Sequence, residues 1–208
     1  MLMRSLLCTL FVTIRLVAGD YDDSVLRVKT TEVFAPAGVQ GWGSAVAVDL
    51  SEFGMAGDTY LLSAAHVVSG SSRVEVEVAG KWLVASVVCC DEDYDVCVLK
   101  IDSKLKALPL EKSVPDAVLS VGFKWGRSPA AISKGSCVAH STNHNKAQWR
   151  AALAIGPGCS GGAILSSEGR VAGIVIAGLA GDKGEMRDDV TVFVPCTVLT
   201  AWLKECRK

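Results

Sequence analysis

Ala154-Ile155-Gly156-Pro157-Gly158-Cys159-Ser160-Gly161-Gly162-Ala163 is the stretch whose reading decides the fold. Four glycines and a proline crowd around one hydroxyl, Ser160. Glycine accepts backbone angles that other residues avoid, so the segment reads as a tight turn. Such a turn can hold a serine outward and leave the flanking N–H groups unpaired. An activated nucleophile beside an oxyanion hole requires both. The plain alternative is a glycine-rich surface turn with a chance serine. The choice therefore rests on whether the remaining chain supplies a base and an orienting acid.

Outward from this turn the sequence becomes apolar and strand-like on both sides. Ala163 to Leu165 and Arg170 to Ala177 flank a turn at 166–169, and Trp149 to Ile155 leads in. Further strands are expected at Val25–Val33, Gly43–Leu50, Thr59–Ser63, Arg73–Val78, Lys81–Val88, Val96–Ile101, Ala117–Phe123, Ala130–Ala139 and Val190–Val194. Arg73 to Val78 (RVEVEV) alternates strictly, which marks a half-buried strand. Thr197 to Cys206 has helical spacing, with Val198, Leu199, Trp202 and Leu203 on one face. Many short strands with one terminal helix indicate an all-β barrel or sandwich. No long βαβ pattern appears. The turn also differs from a nucleophile elbow, which would read Gly-x-Ser-x-Gly and lead into a helix.

A base and an acid are present. Of the three histidines, His66 ends the apolar run Leu61-Leu62-Ser63-Ala64-Ala65-His66. There it can face a cleft on a rigid backbone. Asp95 is the last acid before the apolar strand Val96–Ile101. A carboxylate in that position can accept a hydrogen bond from the imidazole, fix its tautomer and stabilise the imidazolium. Alone, His66 reads equally as a core histidine and Asp95 as a strand-edge charge. In the order His66, Asp95, Ser160, with three matching contexts, coincidence is a poor explanation.

Ser-Ala-Ala-His at 63–66, Asp-Val-x-Val-Leu-Lys-Ile at 95–101 and Gly-x-Ser-Gly-Gly at 158–162 resemble the chymotrypsin/trypsin-like serine peptidases. The nucleophile loop is similar to that of the HtrA/Deg branch. Gly41-Trp42-Gly43-Ser44, Val121-Gly122-Phe123, Ile132-Ser133-Lys134-Gly135-Ser136 and Val192-Phe193-Val194-Pro195 add weaker matches, so the resemblance covers about residues 24 to 206. It implies two six-stranded antiparallel β-barrels, over approximately 24–110 and 111–206, with a C-terminal helix and the active site between the barrels. It implies His66 as general base, Asp95 as its orienting acid and Ser160 as nucleophile. The N–H groups of Gly158 and Ser160 would form the oxyanion hole. Ala154, Ile155, Gly156, Ile176, Ala177 and Gly178 would line the primary substrate pocket. None of these is acidic, so cleavage is expected after small or medium apolar residues.

Cys159 departs from relatives activated by cleavage, which carry there an acid that pairs with a new N-terminal amine. That ion pair is not expected here. After Ser160 the sequence suffices for a barrel and helix, so no PDZ domain is expected. The expected activity is endopeptidase hydrolysis through an acyl-enzyme on a polypeptide substrate. A catalytically silent binding module of the same fold, and a viral polyprotein-processing protease, are the alternatives.

Composition agrees with a folded domain that buries a substantial core. Half of the 208 residues are hydrophobic, and 21 basic residues against 22 acidic ones give a formal charge of −1. No basic stripe marks a nucleic-acid partner. Residues 1–19 of the 20–208 domain's leader read as a signal peptide. A basic start precedes the apolar stretch Ser5–Ile14, with small residues Val17 and Gly19 before Asp20. The stretch is too short for an ordinary spanning helix, so no stable membrane span is expected. Secretion or periplasmic export follows. Arg15 interrupts the leader, and the alternative is a cytosolic or virus-encoded protein with an N-terminal strand.

Outside the leader stand Cys89, Cys90, Cys97, Cys137, Cys159, Cys196 and Cys206. An odd number leaves at least one thiol free in a monomer. One or two disulfides fit, with their pairing open. Cys137, His140 and His144 have a metal-like spacing and would need a fourth ligand, which Cys89, Cys90 or Cys97 could supply, but Ser141-Thr142-Asn143-His144-Asn145-Lys146 reads more simply as a polar loop. No metal and no cofactor are expected. Expressed in an exporting host with residues 1–19 intact, the mature protein is expected to begin at Asp20. N-terminal sequencing checks this, and a retained Met1 would contradict the leader.

Overall fold

The computed structural model describes residues 21, 23–32, 40–143, 146–180 and 186–206. The expected leader lies outside them. So does His144, and of His140 only the backbone is described.

Seven strands make the first lobe: β1 Val25–Glu32, β2 Gln40–Val48, β3 Thr59–Ser63, β4 Ser71–Val78, β5 Lys81–Val84, β6 Ser86–Asp91 and β7 Val96–Ile101. Their order is β5-β4-β1-β2-β3-β7-β6. The pairings are antiparallel throughout. Alternation does what β4 requires. Val74 and Val76 are buried, while Glu75 and Glu77 face Lys29 and Arg27 on the neighbouring β1. In β7 four successive residues, Val96 to Leu99, are buried, because both of its faces are covered.

The strand expected over Lys81–Val88 is broken at Ala85 into β5 and β6. These two are the opposite edges of the sheet. Only Ala85 separates them, and its N–H donates to the Val74 carbonyl at 2.9 Å. The sheet must therefore curl until its edges meet. Counting β5 and β6 as one bent strand recovers the expected six-stranded barrel.

The second lobe holds β8 Ala117–Gly122, β9 Ala131–Asn143, β10 Lys146–Ala151, β11 Ala163–Leu165, β12 Val171–Ala180 and β13 Met186–Pro195. These close into a barrel in the order β10-β13-β12-β11-β8-β9. Its interior packs Val118, Leu153, Ile164, Val175 and Phe193. The strand expected to reach Ile155 leaves the ladder after Ala151. Thr191 Oγ1 donates to the Leu153 carbonyl at 2.9 Å and holds this exit.

A strap joins the lobes. Leu108 forms a parallel bridge with Val48 of β2, and Leu110 one with Val171 of β12. The helix α1 (Ala65–Val68) follows β3, and α2 (Cys196–Leu203) follows β13. Leu199, Trp202 and Leu203 of α2 are buried with residues of the first lobe. No helix among the described residues is long and apolar enough to cross a membrane.

One disulfide, Cys89–Cys206, links β6 to the turn after α2 across a Cα–Cα distance of 6.1 Å. It closes a loop of sequence separation 117. Cross-linking so long a loop removes much entropy from the unfolded chain. The double variant Cys89→Ala/Cys206→Ala is expected to lose about 2–5 kcal/mol of stability, read from the urea midpoint of the oxidised protein.

Candidate active site

The turn carrying His66 is set by small residues. β3 ends at Ser63, and Ser63, Ala64 and Ala65 are all buried. One helical turn, α1, then places Val67 inward, where its methyls fill the space that a side chain on Gly43 would need. The backbone is therefore held while the imidazole is 49% exposed.

Asp95 arrives from the turn between β6 and β7. Asp91 Oδ1 accepts from the Tyr94 N–H at 2.9 Å and shapes that turn. Asp95 itself has φ of +56°. The left-handed region is uncommon for a side-chain-bearing residue, though Asp tolerates it better than most. Both carboxylate oxygens are used on one residue. Oδ1 accepts from the His66 backbone N–H at 2.9 Å, and Oδ2 lies 2.7 Å from His66 Nδ1. An ionised carboxylate only accepts, so Nδ1 carries the ring proton. In the neutral ring Nε2 then keeps its lone pair, and it has no partner among the described residues.

In the loop of Ser160, two glycines have φ values only glycine takes readily: +90° at Gly158 and +82° at Gly161. A Cβ on Gly158 would press on the Phe123 carbonyl and the Trp125 and Gly126 nitrogens. One on Gly161 would collide with the Ser44 carbonyl and the Ser63 hydroxyl. Gly161 thus lies against the segment Ser63–Ala64 that leads into His66, which sets the Ser160 peptide beside the histidine turn.

Hydrogen bonds orient this loop one peptide at a time. The Pro157 carbonyl accepts from Trp125 N at 2.6 Å, and the Cys159 carbonyl from Gly162 N at 2.8 Å. A trans peptide is planar, so its N–H points opposite to its carbonyl. The N–H groups of Gly158 and Ser160 belong to these two peptides and face away from those bonds. Neither has a partner among the described residues. The intervening peptide is held at both ends. Cys159 N–H donates to Gly156 O at 3.0 Å, and Ser44 Oγ donates to Gly158 O at 2.8 Å.

Ser44 ties the two lobes. Its fully buried hydroxyl also accepts from Phe123 N at 2.8 Å. Its N–H donates to the Ser160 carbonyl at 2.8 Å, and its carbonyl accepts from Ser63 Oγ at 2.8 Å. The sequence reading missed this role. Ser44 lay inside a quoted motif, but nothing in the chain's order says that its hydroxyl crosses to the other barrel.

The expected pocket residues separate into two groups. Ala154 and Ala177 are exposed and Gly178 is half-buried, whereas Ile155, Gly156 and Ile176 are buried. The Lys124 stem lies over Gly156, filling the place of its absent side chain. Ala154 opens onto a groove with Ser133, Lys134 and Asp189, one charge of each sign. Cys159 is buried, and burial pushes its thiol up from the ordinary value, so it packs rather than reacts. Among the described residues no cluster of three metal-ligating side chains occurs.

The family model of the trypsin-like peptidase domain matches residues 43–174. A serine protease Do-like HtrA of Lactococcus lactis subsp. lactis (strain IL1403) is 35% identical over 138 residues, covering 57% of this chain and 33% of the relative. A probable periplasmic serine endoprotease, DegP-like, of Hahella chejuensis is 32% identical over 136 residues, covering 60% and 28%. The chain thus spans about a third of the length of the curated relatives it matches. Among solved structures, the serine endoprotease from Yersinia pestis superposes with a TM-score of 0.73 at 21% identity, over 89% of this chain and 63% of that one. At that identity the likeness concerns the fold.

Removing the Ser44 hydroxyl strands a buried N–H at Phe123 and a carbonyl at Gly158. Ser44→Ala is expected to cost about 1–3 kcal/mol in urea denaturation, far more than an exposed serine would.

Proposed function

The chain belongs to the trypsin-like peptidase family, and from that premise we propose that it is a serine endopeptidase working through Ser160, His66 and Asp95. The observation that carries this reading is the 2.7 Å contact of His66 Nδ1 with Asp95 Oδ2. It leaves the basic Nε2 free on a turn packed against the Ser160 loop.

In this mechanism Ser160 Oγ attacks the substrate carbonyl carbon while His66 Nε2 takes the hydroxyl proton. The carbonyl electron pair moves to oxygen, where the N–H groups of Gly158 and Ser160 receive the charge. His66 then passes its proton to the departing amine as the C–N bond breaks, leaving an acyl group on Ser160. Water, deprotonated by His66, releases the acid in the same way. Asp95 stays ionised and steadies the imidazolium. No acid is needed before Ser160, because the loop is held by hydrogen bonds from Trp125, Ser44 and Gly162.

The small residues Ala154, Gly156, Ala177 and Gly178 support a primary pocket for small or medium apolar side chains. Ile155 and Ile176 would form its buried backing. The periplasmic name of one relative and the leader-like residues 1–19 support export.

A fluorophosphonate probe is expected to label Ser160 and to label neither Ser160→Ala nor His66→Ala. Folded protein that takes no label would sink the enzyme reading. Asp95→Asn is expected to lower kcat by about 10⁴-fold, since the wrong histidine tautomer is then favoured. In a peptide library, cleavage is expected after Val, Ala or Leu. Strong preference for Arg, Lys or Glu would overturn the pocket assignment.

A further inference from the structure

We propose that Cys90 and Cys97 form a thiol–disulfide site, a cross-strand pair that a hydroperoxide closes into a second disulfide. The proposed reaction uses neither residue.

The register supplies the geometry. Cys90 of β6 is the direct partner of Cys97 of β7. Directly opposed residues on antiparallel strands share a face, with Cα atoms about 4.5–5.5 Å apart. A disulfide spans about 4.4–6.8 Å between Cα atoms. Closing the bridge therefore requires side-chain rotation and no shift of the strands. Cys89 is already bonded to Cys206. As Cys90's chain neighbour on a strand, its side chain points to the other face.

The pair is asymmetric. Cys90 is exposed, and Cys97 is buried. The neighbouring Cys97 thiol holds Cys90 below the ordinary thiol value, while Cys90 and burial raise Cys97. The Asp95 charge adds to the rise at Cys97, and burial with Glu92, Asp91 and Asp95 opposes the fall at Cys90. Cys90 is the attacking sulfur, because it is open to a peroxide in solvent while Cys97 is buried.

The step balances in two stages. The Cys90 thiolate attacks the terminal oxygen of a hydroperoxide, the O–O bond breaks, and the alkoxide leaves as an alcohol (water from hydrogen peroxide) by taking from solvent the proton that Cys90 released on ionising. Cys90 is left as a sulfenic acid. Cys97 sulfur then attacks that sulfur, the S–O bond breaks, and water leaves with the Cys97 proton. Two electrons pass from the two thiols to the peroxide.

The site backs onto the histidine turn. Cys97 Sγ lies 3.7 Å from the Ala64 carbonyl, and Cys97 pairs with Ser63 of β3. Rotation of Cys97 toward Cys90 withdraws that contact two residues before His66. An effect on turnover rests on the peptidase reading above; formation of the bridge does not.

The test treats the oxidised protein, Cys89–Cys206 intact, with one equivalent of hydrogen peroxide, then alkylates it under denaturing conditions. Cleavage at Asp91, Glu92, Asp93 or Asp95 separates Cys90 from Cys97 for mass mapping. Joint loss of both alkylation tags, with no oxygen added and with recovery in mild dithiol, is the expected result. In Cys90→Ser the Cys97 tag is expected to persist, and this exposed substitution leaves the core intact. Oxygen accumulating on Cys90 while Cys97 remains alkylated would overturn the proposal, as would a pair that stays reduced. Where Ser160 labelling has established turnover, oxidation is expected to lower kcat/KM reversibly in the native chain and not in Cys90→Ser. If labelling fails, the mass map still decides the pair.

Discussion

A peptide unit is planar, so whatever binds its carbonyl decides where its N–H points. The rest of the site depends on that constraint. Trp125 N–H on the Pro157 carbonyl and Gly162 N–H on the Cys159 carbonyl leave the Gly158 and Ser160 N–H groups facing away from those bonds. Neither donor belongs to a side chain. The loop is oriented by backbone groups whose positions come from the barrel around them, and Gly158 and Gly161 are the residues that permit the required angles.

This arrangement explains how the loop does without an acid before its serine. An ion pair would hold the loop by charge at one point. Here the holding is distributed over the Ser44 hydroxyl, the Trp125 N–H and the internal bonds from Cys159 and Gly162. Ser44 lies on β2 and the loop in the second lobe. The same contacts that shape the loop therefore join the lobes. Gly161, seated on the Ser44 carbonyl and the Ser63 hydroxyl, makes the serine's position inseparable from the histidine's.

Much of this was legible in the sequence because the informative residues are scarce. A histidine after an apolar run and an aspartate before another stand in order with a serine among glycines. The strands with clean patterns were legible too. β3, β7 and β11 coincide with their expected bounds, and β4 shows the alternation that marked it. Ala85 was not legible. It continues an apolar run, and only closure of the sheet requires a break there. Trp149–Ile155 was overread for a similar reason, since apolar residues continue after the strand has left its ladder. The Cys89–Cys206 bond depends on α2 returning to the first lobe, which spacing alone does not record.

The sequence by itself determined the all-β class, the terminal helix and the three residues on which the chemistry is proposed to rest. Those follow from local properties: side-chain period, turn composition and the reactivity of particular groups. Only the tertiary structure decided that Ser44 bridges the lobes, which cysteines pair, and which way the N–H groups beside Ser160 face. Each is a relation between segments far apart in the chain, fixed by packing and by hydrogen-bond partners. The glycine-rich turn shows the division. Its residues make the loop possible, and the neighbouring strands give it direction.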